Sequence, residues 1–444
     1  MTLAVSIVNL LLCLLVTWRA FVTRRLVVLP WALVTYFAVF VVPMAYSGAY
    51  RRFRGFSGDF VSVSETTVSA VVVFMVLFNA IAFVSDAMVW RGLGGAKVKI
   101  EWELEKNNFR TDISKFILLM FLMIGGGLFW QKMRLLGYRE YVEFSSQGAN
   151  WPIVFLWASS PLITILALQR RYVLASVCCL PFLFFAQHLS VRSFALLSLV
   201  PASAVFYMQR ADNLAKRKGE FLKLLLWAVP VFLLLVAVST VVMEKKTGRV
   251  TGLPDTGIVY GVGLVFAAHK HGEGDQGFIS LRKYSQNVVS PLIKLAGKLV
   301  GYREPVLEDT PVYIARLIDG VPKHSGVYFH YPALWYSDAF VSFGAGGLLL
   351  AALWGTVLAA IERLTVSRPL LIALILPFYV WHAYMLVRGA TAIATVPVSY
   401  AFYFSLMALA IAIPVGAKPI RRRLEKVPAG RVLASEQKQR HATR

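Results

Sequence analysis

The sequence contains little charge and almost no cysteine. Only 16% of its 444 residues are Asp, Glu, Lys or Arg, whereas 58% are hydrophobic; an average soluble domain has about 25% charged and about 45–50% apolar residues. The three cysteines, Cys13, Cys178 and Cys179, all lie within apolar runs, which excludes a disulfide framework and a cysteine-based metal site. An ordinary soluble domain and a disulfide-rich secreted protein are therefore both excluded.

The hydrophobic residues are concentrated in blocks that are separated by short charged segments. These blocks are roughly 17–25 residues long, and a helix needs about 20 residues to cross the hydrocarbon core of a bilayer. The sequence therefore predicts an all-α polytopic membrane protein with about eleven transmembrane helices. We place them at residues 2–18, 27–47, 67–88, 114–131, 152–168, 172–190, 193–208, 222–243, 333–361, 369–387 and 395–415.

Basic residues set the orientation of these helices. Lys and Arg number 46 against 23 Asp and Glu, and with the N-terminus outside every predicted cytoplasmic segment is basic, as the positive-inside rule requires. Much of the net charge of +23 is thereby explained without nucleic acid as a partner. The predicted organisation is helices 1–8 in residues 1–243, a long extracytoplasmic loop with interfacial helices in 244–332, helices 9–11 in 333–415, and a basic cytoplasmic tail in 416–444. A loop of that length in a compact protein is usually functional.

Several cations depart from the charge rule because they fall on the predicted outer side. Arg192 and Arg388 lie at helix ends close to hydrocarbon, where an unpaired charge is costly and indicates a functional site. The arginine fork pairs with two phosphate oxygens at once, so the set is typical of a site for an anionic ligand. Snorkelling anchors and solvated loops are the alternative explanation. The other outer cations that we consider for this site are Arg51, Arg52, Arg54, Lys245, Lys246, Arg249, Arg282 and Lys323.

Polar residues and glycines lie before and at the start of the ninth predicted helix. His324 lies in this segment, and a histidine accepts a proton near neutral pH; an incidental loop histidine is the alternative. Tyr336 and the cluster Gly344 to Gly347 follow, which indicates either a broken helix entry that lines a cavity or close helix packing. No P-loop, dinucleotide fingerprint or zinc-protease motif is present, and the first outer loop offers only Asp59 and Glu65. We therefore expect neither a metal nor a cofactor.

Four segments give the chain a resemblance to the Wzy family of oligosaccharide repeat-unit polymerases, which serve O-antigen and enterobacterial common antigen. They are the loop Tyr138-Arg139-Glu140-Tyr141; Arg192 at the start of a helix; His324-Ser325-Gly326 with Pro332 and the glycine cluster; and Leu386-Val387-Arg388-Gly389. The order and spacing of the segments and the late outer loop also fit.

The resemblance implies a GT-C-like glycosyltransferase of the bacterial inner membrane that is active on the periplasmic face. Its substrate would be undecaprenyl-pyrophosphate-linked oligosaccharide, and its partners would be membrane lipids and a chain-length regulator of the Wzz type. His324, Arg192 and Arg388 are then the expected catalytic residues. The expected substrate-binding residues are Arg51, Arg52, Arg54, Arg139, Arg249, Arg282, Lys323 and Tyr336.

Three other functions remain open at the level of sequence. An O-antigen ligase uses the same donor and shares the late outer loop. A flippase or other transporter would carry ionisable residues at mid-membrane and internal repeats, whereas the ionisable residues here collect at helix ends. A structural scaffold would not need Arg192 and Arg388 so close to hydrocarbon.

Overall fold

The computed structural model describes a part of the chain that consists mainly of helices. The described residues are 2–23, 25, 52–54, 60–62, 65–92, 104, 109–134, 151–189, 193–210, 215–223, 226, 339–340, 343–366, 368–387 and 396–411. Two predicted features lie wholly outside them, namely the helix at 27–47 and the long loop at 244–332. Most of the helix predicted at 222–243 and the tail at 416–444 also lie outside the described residues.

The helices follow the apolar blocks of the sequence. They are α1 Thr2–Val22, α2 Glu65–Gly92, α3 Phe109–Met133, α4 Trp151–Ala158, α5 Ser160–Leu168, α6 Tyr172–His188, α7 Ser193–Arg210, α8 Leu348–Thr365, α9 Pro369–Val387 and α10 Val396–Ala410. Residues 215–223 are also helical. Each helix lies within or close to a predicted span, because the length of an apolar run is a local property that sets where a membrane helix begins and ends.

Four helical segments are long and apolar enough to cross a membrane. They are Val72–Arg91, Thr111–Met133, Trp151–Leu168 and Gly344–Thr365. Shorter apolar helices accompany them within α1, α6, α9 and α10. These segments identify a helical membrane protein.

The first predicted outer loop contains a short β-hairpin, which the all-α prediction did not include. Strand β1, Arg52–Arg54, pairs antiparallel with β2, Phe60–Ser62, with Phe53 opposite Val61. The five residues between the strands include two glycines, which suit a hairpin connection. The hairpin thus shapes the segment that carries Arg52 and Arg54.

Close backbone contacts hold the helices together. Gly355 of α8 lies directly against the backbone of Ala82 in α2, so a Cβ at this position would collide with the Ala82 carbonyl oxygen. Gly125 of α3 makes an equivalent approach to the backbone of Leu156 in α4. Glycine permits such close helix packing in membranes, and α2–α8 and α3–α4 are accordingly extensive contacts.

The most central span is interrupted, although the sequence predicted one helix over 152–168. In the segment Trp151–Leu168, 89% of the residues are buried. Ser159 separates α4 from α5, and Pro161 occupies the first turn of α5. A proline has no N–H to donate to the carbonyl group four residues earlier, which explains the interruption at this point.

Candidate functional site

Most of the predicted site residues lie outside the described residues. Arg52 and Arg54 belong to β1, where only their backbone is described. All the other predicted site residues lie outside the described residues, namely Arg51, Arg139, Arg192, Arg249, Arg282, Lys323, His324, Tyr336 and Arg388. The described helix ends next to Arg192 and Arg388 nevertheless define where these two segments enter the bundle.

The segment that carries Arg192 joins two helices whose ends are firmly packed. Leu189, just after α6, and Phe194, at the start of α7, are both fully buried. His188 at the end of α6 donates a hydrogen bond from Nε2 to the carbonyl oxygen of Met133, at 3.0 Å. The ends of α3 and α6 and the start of α7 therefore lie together at one end of the bundle.

A chain of aromatic contacts connects this end to α9, which Arg388 follows. The ring of Phe194 lies 5.9 Å from that of Trp157, measured between centroids, and Trp157 lies 6.5 Å from Trp381. Trp381 is six residues before the end of α9. The helix ends adjoining Arg192 and Arg388 are thus at the same end of the bundle.

The glycine cluster forms an irregular entry to α8. Residues Gly344–Gly347 make a single 3-10 turn, and Gly344 has a φ of 57°, which side chains other than glycine rarely adopt. A Cβ on Gly347 would collide with the carbonyl oxygen of Ala339. Gly347 therefore packs closely against Ala339, which lies eight residues earlier in the same entry segment.

The described residues include a partly buried ion triad that sequence reasoning did not identify. Arg25, just beyond α1, reaches Asp86 of α2 through Nη2 at 2.6 Å and Glu362 of α8 through the same atom at 2.9 Å. Its Nε donates a further hydrogen bond to Glu362 at 3.3 Å. The side chain of Glu362 is only 3% exposed. One guanidinium group thereby connects three helices that are distant in sequence.

Aromatic and apolar groups complete the surroundings of the triad. The guanidinium carbon of Arg25 lies 4.3 Å from the centroid of the Trp90 ring, a distance suited to a cation–π interaction. A cavity of about 20 Å³, the size of one water molecule, is lined by the triad and by Tyr379 of α9. Burial alone would lower the pKa of Arg25, but the charges of Glu362 and Asp86 raise it above its ordinary value. Arg25 is therefore a permanent cation.

Arg25 lies between the predicted helices at 2–18 and 27–47, in a segment that the charge rule places in the cytoplasm, and the sequence did not predict its partners. Asp86 and Glu362 were the available indications, since each lies within or at the edge of an apolar run, where an acidic residue is costly unless it is paired. The triad lies toward the end of α8 from which α9 starts, whereas Arg388 follows the far end of α9. It is therefore separate from the predicted outer cations.

A second polar network connects other helices at the same end of the bundle as the ion triad. Lys115 of α3 donates to the side-chain oxygen of Gln169, at 3.2 Å, and Gln209 of α7 donates to the carbonyl oxygen of Leu168. Tyr172 of α6 donates in turn to Gln209 at 2.7 Å. These bonds join the start of α3 and of α6 to the ends of α5 and α7, as alternating membrane helices require.

Comparison of the chain with protein-family models, curated proteins and solved structures finds no significant match to any of them. The assignment of function therefore depends on the residues and on their arrangement.

Proposed function

We propose that this protein polymerises undecaprenyl-pyrophosphate-linked oligosaccharide repeat units at the periplasmic face of the bacterial inner membrane. The residues that resemble the Wzy family motivate the proposal. The observation that supports it best is that the helix ends next to Arg192 and Arg388 lie at one end of the bundle and are connected through Phe194, Trp157 and Trp381. Two arginines on one face suit a pyrophosphate group, which two bidentate forks can bind.

The proposed reaction transfers the growing chain to an acceptor sugar. The bond between the anomeric carbon of the donor and the pyrophosphate oxygen breaks, and its electron pair stays on the pyrophosphate. An acceptor hydroxyl oxygen forms the new bond to that carbon, while its proton passes to His324. Arg192 and Arg388 stabilise the negative charge that develops on the leaving pyrophosphate, the kind of electrostatic stabilisation that contributes most to many enzymes.

The loops contribute further cations to the same substrate. Arg52 and Arg54 belong to the hairpin strand β1, and with Arg51 they form a basic segment of the first outer loop. Arg139, Arg249, Arg282, Lys323 and Tyr336 complete the proposed substrate-binding set. In this scheme the ion triad at Arg25 takes no part in the chemistry and instead fixes α1, α2 and α8.

One observation favours a second candidate, a transporter of lipid-linked oligosaccharide. The interruption between α4 and α5 at Ser159 lies in the most buried span, and transporters often build their binding sites from interrupted membrane helices. A ligase acting on the same donor is the third candidate, on resemblance alone.

The three candidates predict different lipid-linked glycans in a strain that lacks the protein. Loss of a polymerase leaves units of a single repeat that are still transferred to the surface acceptor. Loss of a ligase leaves long lipid-linked chains, and loss of a flippase leaves single units confined to the cytoplasmic leaflet. Glycan gels of the deletion strain, combined with leaflet-specific labelling, therefore separate them.

Variants at the two arginines then test the site. Arg192→Ala and Arg388→Ala each remove a charge-assisted contact worth about 1.5–3 kcal/mol, so polymerisation should slow by at least about tenfold. Lys replacements should restore it only partly, because lysine lacks the bidentate fork. Arg210→Ala is a suitable control, since Arg210 lies at the opposite end of α7 and is half-exposed. Full activity in both Ala variants, with the control unchanged, would refute the assignment.

A further inference from the structure

Four buried polar atoms near the interruption of the central helix have no hydrogen-bond partner among the described residues. They are Trp157 Nε1, Ser160 Oγ, Thr164 Oγ1 and Trp381 Nε1. The side chains are 0–5% exposed, and they lie within a bundle that crosses a membrane. A buried polar atom without a partner costs about 1–3 kcal/mol, so these four atoms require a partner that the described protein groups do not supply.

The four side chains lie on elements that contact one another. Trp157 and Trp381 have ring centroids 6.5 Å apart. Ser160 follows Trp157 by three residues across the interruption, and Thr164 follows Ser160 by one helical turn on α5. Helix α5 in turn packs against α9, which carries Trp381.

The interruption adds a backbone acceptor to these side-chain groups. Pro161 lies four residues after Trp157 and has no N–H, so the Trp157 carbonyl oxygen lacks its helical donor. The neighbouring carbonyl oxygen of Ala158 is already bound by the hydroxyl of Ser405, at 2.8 Å. Trp157 therefore offers both a donor and an acceptor at the point where α4 ends.

The donor and acceptor properties of these groups restrict which partner they can bind. An indole N–H only donates, so the two tryptophans require an acceptor oxygen. The serine and threonine hydroxyls and the Trp157 carbonyl can accept, so the ligand must also be able to donate. The hydroxyls can turn toward carbonyl oxygens of their own helix, whereas the indole groups have no such option. The two indoles therefore carry the inference.

We propose that the interruption between α4 and α5 is a hydration site, in which water bound to Trp157, Trp381, Ser160 and Thr164 satisfies the buried polar groups of the bundle. Buried water typically makes about three hydrogen bonds to such groups and is part of the structure. Irregular backbone at membrane depth is tolerated where water or protein satisfies its polar groups. The proposal is independent of the polymerase assignment.

Two spectroscopic measurements on the full-length protein in nanodiscs test it. Ultraviolet resonance Raman difference spectra, wild type minus Trp157→Phe and wild type minus Trp381→Phe, should each show an indole with a hydrogen-bonded N–H. Infrared spectra should contain a water O–H band that shifts in H₂¹⁸O and is lost in both variants. Trp130→Phe is the control, since Trp130 is 46% exposed on α3 and its replacement should leave the band in place.

Thr164→Val tests the same proposal if a tryptophan variant fails to fold or to insert into the membrane. It removes the hydroxyl while nearly preserving the shape of the side chain, and it should shift or weaken the same isotope-sensitive band. An indole N–H that is free in the Raman spectra would overturn the proposal. A hydrogen-bonded indole without an isotope-sensitive band would also overturn it, because the acceptor would then belong to the protein.

Discussion

Replacement of Arg25 by methionine should destabilise the protein strongly, because it leaves the buried Glu362 and the half-buried Asp86 without their cation. Breaking a buried ion pair by removing one partner typically costs about 3–5 kcal/mol. Asp86 is 22% exposed and Arg25 16%, whereas Glu362 is 3% exposed, so partial solvation reduces the penalty for one carboxylate. We expect a loss of about 3 kcal/mol in the free energy of unfolding, which is roughly a hundredfold change in the equilibrium constant.

A graded series of variants separates charge from shape. Arg25→Lys keeps the charge but loses at least one of the two hydrogen bonds to Glu362, so it should cost about 1.5 kcal/mol. The triple variant Arg25→Met, Asp86→Leu, Glu362→Met removes every charge of the triad and should recover most of the loss, since apolar replacement of a whole buried cluster is often neutral or stabilising.

The assay measures the unfolding midpoint of the purified protein in detergent. The thermal midpoint is obtained from the fraction of protein that still elutes as a folded peak in size-exclusion chromatography after heating. The free energy of unfolding is obtained from denaturant titration. Arg19→Met is the matched control, because Arg19 is an exposed cation in the last turn of α1 and should change stability by no more than about 0.5 kcal/mol. If Arg25→Met unfolds like the wild type, or if the triple variant is no more stable than Arg25→Met, the triad does not hold the helices in the way described.

Three further predictions follow from the packing, the proposed chemistry and the topology. Gly355→Ala should destabilise the protein by about 1–3 kcal/mol, because the new Cβ collides with the Ala82 carbonyl oxygen. The control is Gly126→Ala, which has open space around the new Cβ. In the same melting assay it should be neutral or up to about 1 kcal/mol stabilising. His324→Ala should slow polymerisation by about 10²–10⁴-fold, and His324→Gln should slow it nearly as much. The pH–rate profile of the wild type should have an acidic limb near about pH 6.5. If that limb persists in His324→Gln, histidine is not the base. Reporter fusions at about residues 215 and 290 should report opposite sides of the membrane; if both report the cytoplasm, the predicted topology and the outer site built on it are wrong.

The approximate positions of the described apolar helices could be predicted from the sequence because hydrophobic length is a local property. An apolar run such as Val72–Arg91 must span the bilayer or be buried wherever it lies in the fold. The helix boundaries of α9, Pro369–Val387, match the predicted range, since a proline starts it and charged or glycine residues flank it. The same reasoning missed the hairpin at Arg52–Arg54, because two three-residue strands carry too little periodicity to recognise.

The partners of the charged and polar residues were decided by the tertiary structure. Arg25 lies 61 residues from Asp86 and 337 from Glu362, and no local pattern indicates which acidic residue a basic one will meet. For the arginines that we predict on the outer side, the sequence predicts a depth and a side of the membrane, but it does not predict the distances between them. Burial and charge can be read along one chain, but the pairing of two charges depends on which helices pack together, and that choice is made by close contacts such as Gly355 against Ala82.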